Sequence, residues 1–162
     1  MNTKEITQNI LLLLKLDSKR LYDRIKYRSP EYLSIFSNKR TREHFREIFK
    51  NRYDSIEIED LKLCSESVIR NVDEFYHFVD EMKWYLNTTE DMPNTVDDKI
   101  HKLIAKMNPI LIELHTAIDM NFREIAPKYS APVDRDSNDM GDLPETPDFP
   151  PFKEEINSDE EN

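Results

Sequence analysis

Residues 61–86 read LKLCSESVIRNVDEFYHFVDEMKWYL. Along this stretch Leu61, Cys64, Val68, Val72, Phe75, Val79, Met82 and Leu86 recur at steps of three and four residues. That spacing brings them to one face of an α-helix and to no single face of a strand. A long amphipathic helix is predicted, opened by Asp54 and Glu57 at capping-box spacing, with the acidic first turn that a helix dipole favours.

Toward the C-terminus, NTTEDMPN (87–94) has loop composition. Thr95 and Asp98 then have the spacing of a helix start. The apolar line resumes through Val96, Ile100, Leu103, Met107, Leu111, Leu114, Ile118, Phe122 and Ile125. Pro109 lies inside this line, removes one backbone hydrogen bond and predicts a kink. Two long helices joined by a short loop form an antiparallel hairpin.

Toward the N-terminus, a first helix begins after Asn2 and carries Ile6, Ile10, Leu13, Leu14, Leu21 and Ile25 inward, with Asp17 and Ser18 interrupting its line. In RSPEYLSIF (28–36), Ser29 followed by Pro30 reads as a second helix start. Leu33 and Phe36 fall on a different face from Phe45, Ile48, Phe49 and Tyr53, so a break is placed near Ser37-Asn38, between helices at 30–36 and 39–53. The fold expected for residues 1–126 is all-α: an up-and-down bundle of four helices, the second broken.

From Pro127 the periodicity stops. Residues 127–162 hold six of the nine prolines and the only glycine, Gly141, and carry a net charge of −8. Such a segment buries too little apolar surface to offset its ordering entropy, so a disordered, acidic, Pro-rich tail is expected. Within it LPETPDFPPF (143–152) spaces Leu143, Phe149 and Phe152 with prolines, which keep a chain extended. This makes it a candidate recognition segment; a merely solubilising tail is the alternative.

Composition excludes several classes. Nucleotide-binding loops and tight hairpins need glycine, and residues 1–140 have none. The one cysteine, Cys64, forms no internal disulfide and fits a reducing compartment. The apolar run near the N-terminus is preceded by Glu5 and cut by Lys15, and no stretch is long enough for a transmembrane helix. A cytoplasmic protein is expected.

Candidate chemistry is sparse. Glu74-x-x-His77 and Asp98-x-x-His101 have the spacing of carboxylate-bridged metal sites, but their positions on the helices point to solvent, so no metal and no cofactor are expected. His115 and Asp119 are spaced for an ion pair one turn apart, and Cys64 lies on a core line. The aromatic cluster Phe75, Tyr76, Phe78, Trp84 and Tyr85 reads as core and rim, with Tyr76, Trp84 and Tyr85 far enough round to border a groove. NKRTREHFREIFKNR (38–52) is basic, yet Lys39 with Glu43 and Glu47 with Lys50 are spaced to pair. Residues 1–53 carry +7 and residues 54–126 carry −9, so the halves can neutralise each other within the bundle.

The first helix stands out. Leu11, Leu12 and Leu16 lie off the line of Ile10, Leu13 and Leu14, and such a helix is either central or covered by a further surface. That surface is either the segment 30–36 or another chain. The function expected is a non-enzymatic interaction or adaptor protein. Leu11, Leu12 and Leu16 would contact a protein partner or a second copy, and Leu143, Phe149 and Phe152 would make a second contact. The alternative is a regulator of nucleic acid, or of a nucleic-acid-binding protein, through the basic half or an acidic mimic tail.

Overall fold

A computed structural model describes residues 2–126, and within them the chain is all-α. The elements are α1 (Thr3–Lys39), α2 (Phe45–Ile48), a 3-10 turn (Tyr53–Ser55), α3 (Ile58–Leu61), α4 (Glu66–Thr88) and α5 (Pro93–Ile125). The expected tail, with Leu143, Phe149 and Phe152, lies outside the described residues.

The other two long helices, α1 and α4, pack against α5. Lys15 meets Asp119, Ser18 meets His115 and Tyr22 meets Asn108. Numbers rising along α1 while they fall along α5 make that pair antiparallel. The Ser65 amide donates to Asn121 Oδ1 at 2.8 Å, so α4 starts where α5 ends, and the α4–α5 hairpin forms as expected. Consequently α1 and α4 run parallel, and residues 40–65 must travel back along the bundle to join them. This returning segment takes the place of the expected broken helix and buries Phe45, Ile48, Phe49 and Cys64.

Helix boundaries differ from expectation at several places. No helix starts at Pro30, because α1 runs through it. From Leu14 to Pro30 is sixteen residues, about 160° round the helix, so the ring sits on the solvent side. The Lys26 carbonyl it frees faces water, and both residues are exposed. Pro109 lies on the solvent side of α5 by the same arithmetic, and α5 is likewise continuous. Phe36 follows Ile25 by eleven residues, about three full turns, and is buried on the same stripe. The break comes after Lys39, where Arg40 takes the left-handed conformation (φ 56°) and its amide bonds to the Phe36 carbonyl at 2.9 Å. The expected helix at 39–53 shrinks to the single turn of α2. The expected helix opened by Asp54 and Glu57 is split: Ser65 turns extended (ψ 155°) to start α4, leaving Leu61 and Cys64 before it. Met92 is the residue that precedes α5, with Pro93 as its first residue, where a missing amide costs nothing.

Polar ties hold the returning segment. At one end Arg42 donates from Nη1 to the carbonyls of Leu86 and Thr89 and from Nη2 to that of Asp91, while its guanidinium lies 5.0 Å from the Phe36 ring centroid. It thereby satisfies carbonyls that the end of α4 leaves without helical partners. At the other end the buried Asp17 carboxylate accepts from Tyr76 Oη at 2.6 Å and from the Arg52 amide at 3.0 Å, linking α1, α4 and the returning segment. Tyr53 stacks on Tyr76 with centroids 4.1 Å apart. One residue on, Ser18 Oγ lies 3.1 Å from His115 Nε2 on α5.

Two outcomes follow for the bundle. Replacing Arg42 with methionine keeps the aliphatic bulk but leaves part-buried carbonyls unpaired, so urea unfolding should show a loss of about 1–3 kcal/mol. Burial, reinforced by the neighbouring Lys15 charge, pushes the His115 imidazole below its ordinary value of 6.5. In the pH range below 6.5 the unfolded chain therefore takes up this proton before the folded chain does. The imidazole's contribution is complete above that value and is lost as the pH falls toward the lower folded value. His115→Gln removes this titration, so the variant should lose less stability than the parent between pH 7.5 and 5, measured as the shift in urea midpoint.

Candidate functional site

The outward face of α1 carries the first candidate. Leu11 is 0% exposed and belongs to the core, so it is not a contact for an outside partner. It follows Leu14 round the helix by only about 60°, close enough to share the inward stripe. Leu12 and Leu16 remain outside, 50% and 41% exposed, and Leu13, expected inward, is exposed beside them. Residues 30–36, one of the two alternative covers, do not lie over them: they continue α1 itself, some fourteen or more residues away and about 20 Å along the axis. On α5, Ile112 and Met120 are also exposed.

A second surface lies between α4 and α5, a groove of about 640 Å³. Phe78, Trp84 and Tyr85 line it from α4, and Lys99, Lys102 and Lys106 from α5. Lys99 Nζ lies 5.3 Å from the Tyr85 ring centroid and Lys106 Nζ 5.7 Å from that of Phe78. Trp84 is 64% exposed. Tyr76 is not part of this groove, since it turns inward to Asp17.

A third surface is a basic cleft of about 590 Å³ where α1 meets the returning segment, with Arg20, Arg24, Arg28, Lys50 and Arg52 around it. No continuous basic helix presents NKRTREHFREIFKNR to a polyanion: the run bends through α2, and Arg42 is committed to carbonyls. Glu47 and Lys50 pair at 2.7 Å as their spacing suggests.

Serine and histidine do meet in the structure, though their distance in sequence, 18 to 115, hid the pair. A histidine beside a serine hydroxyl, with Asp119 one turn on, has the residue types of a nucleophilic site. The surroundings oppose that chemistry. Ser18 is 0% exposed, and in mid-helix the backbone amides around it are used internally, so none is left to stabilise an oxyanion. Asp119 pairs with Lys15 Nζ at 2.5 Å, which replaces the expected His115–Asp119 pair. The arrangement acts as a tie between helices.

The remaining candidates sit as follows. Glu74, His77, Asp98 and His101 are all exposed. His77 faces Glu81 at 3.4 Å and His101 faces Asp97 at 2.9 Å, each within its own helix. Among the described residues no three metal-ligating side chains gather. Cys64 is buried, and that burial pushes its thiol up to about 11, which keeps it protonated and a poor nucleophile. No helix among the described residues is long and apolar enough to cross a membrane. The chain matches no protein-family model, no curated protein and no solved structure at a significant level.

Proposed function

We propose that this chain is a non-enzymatic interaction protein of the cytoplasm, an adaptor whose helical bundle docks a protein partner on the outer face of α1. The observation that carries this reading is the leucine face. Leu12, Leu13 and Leu16 stand in water on one side of a helix whose other side already fills the core. Among the described residues nothing is brought across them, because residues 30–36, which could have folded back, continue the same helix. Adjoining leucines left in this way favour a protein contact over solvent. A second copy of the chain is one occupant, through a two-fold contact of α1 with α1. The acidic segment with Leu143, Phe149 and Phe152 supplies the second contact, its prolines lowering the entropy lost on docking.

A photo-activated crosslinker at Leu16 tests the reading. Irradiation of the full chain in native lysate should give one discrete product, either a dimer or a single heterologous adduct. Leu12→Glu should abolish that product. Each leucine is about half exposed, so covering the pair contributes on the order of 1–3 kcal/mol, and association should weaken roughly tenfold or more. The helical signal and melting temperature of the variant should stay unchanged, because neither side chain belongs to the core. No adduct, or one indifferent to Leu12→Glu, would overturn the proposal.

A further inference from the structure

The basic cleft carries an inference of its own. Arg20, Arg24 and Arg28 follow one another at four-residue steps and form a ladder about 12 Å long on α1. Lys50 and Arg52 face it from the returning segment. Two carboxylates also line the cleft, and both are engaged. Asp17 accepts from Tyr76 and the Arg52 amide, and both oxygens of Asp23 lie 2.6 Å from Lys19 Nζ. Among the described residues Arg20, Arg28 and Arg52 meet no carboxylate within salt-bridge distance. Arg24 donates from Nη2 to the Lys50 carbonyl, which aligns the ladder with the returning segment. Its Nε is buried without a hydrogen-bond partner. Arg20, Arg28 and Arg52, by contrast, are exposed, and charged donors gathered in one cleft without acidic partners favour an anion from outside.

The lining also states what kind of acceptor. Guanidinium forks match the geometry of phosphate oxygens and bind them through paired hydrogen bonds. Among the described residues no aromatic or aliphatic residue lines the cleft, so it lacks the aromatic platforms on which the successive bases of a strand stack. The protein carries −10 overall, so a polyanion extending beyond the cleft meets a repelling field. We propose that the cleft between α1 and the returning segment binds a compact small molecule bearing several clustered phosphate groups.

The phosphates could be carried on a short chain or on a ring, so two probes separate the sources. Calorimetric titration of the full chain with tripolyphosphate and with inositol hexakisphosphate should show 1:1 binding of at least one. That binding should weaken as salt is raised. Sulfate and a ten-nucleotide single strand should bind at least about tenfold more weakly. Arg20→Ala with Arg28→Ala should weaken binding about tenfold or more, since it removes two charged donors. Both side chains are exposed, so the variant's melting curve should match the parent's and show that the fold is intact. Arg123→Ala, a cation on another part of the bundle, should leave binding unchanged. The inference fails if neither polyphosphate binds, or if the double variant binds as well as the parent. It also fails if the oligonucleotide binds more tightly than both probes, because the cleft would then belong to a nucleic-acid surface.

Discussion

The Asp17 carboxylate is the interaction on which the arrangement depends. A charge taken out of water is costly unless hydrogen bonds replace its hydration. Here one oxygen takes the Tyr76 hydroxyl and the other the Arg52 amide. These two donors come from different elements, so the carboxylate is satisfied only when α1, α4 and the returning segment are all in place. Burial and the bond to Asp17 together raise the Tyr76 hydroxyl well above its ordinary range, which keeps it protonated and able to donate. Ser18 extends the layer to α5 through His115. Apolar packing alone tolerates sliding and rotation, whereas this layer fixes one register between the helices.

The same layer accounts for how residues 40–65 replace a regular helix. That stretch has three large apolar side chains close together, Phe45, Ile48 and Phe49, and they are buried by a single turn. Before and after them the backbone is held by specific partners in place of a helical ladder. Arg42 reaches the carbonyls at the end of α4, and Arg52 gives its amide to Asp17. Asn51 accepts from the Asp54 amide at 3.1 Å, a local turn that competes with continuing helix. Topologically the chain still goes up, down, up and down, with the second passage irregular.

Much of this was legible because α4 and α5 bury one stripe each, and a stripe at steps of three and four reads directly as a helix. The errors came where a local signal opposed the longer pattern. Ser29-Pro30 has the composition of a helix start, but position round the helix decided the matter: Pro30 falls on the wet side, and Ser29 Oγ bonds back to the Ile25 carbonyl. The eleven-residue interval from Ile25 to Phe36 was the available signal for continuity. Leu11 and Leu13 exchanged roles because a run of four leucines fits several stripes equally well, and only the neighbours choose between them. Asp17 looked like an interruption because a buried acid can be recognised only with its partners, which lie 35 and 59 residues away. The Ser18–His115 pair and the basic cleft were hidden for the same reason: each is assembled from parts distant in sequence.

The surplus of basic charge in the first 53 residues now has a spatial meaning. Some of it is structural or neutralised: Arg42 caps α4, Lys15 pairs with Asp119 and Lys19 with Asp23. Of what is left, Arg20, Arg24, Arg28 and Arg52 line the cleft between α1 and the returning segment. The aromatic groove lies elsewhere, on α4 and α5. Leu12 and Leu16 precede the α1 arginines at the same four-residue step, so the apolar and cationic surfaces are successive stretches of one row along α1. Leu16 lies one turn before Arg20, so the two surfaces adjoin. Because Asp17 and Arg24 tie the returning segment to α1 beside the cationic side, anything that draws the guanidinium groups together acts on that segment first. The leucine side, held on a helix whose register is fixed by the buried polar layer, keeps its shape. The two surfaces therefore share one helix and adjoin, while differing in their chemistry.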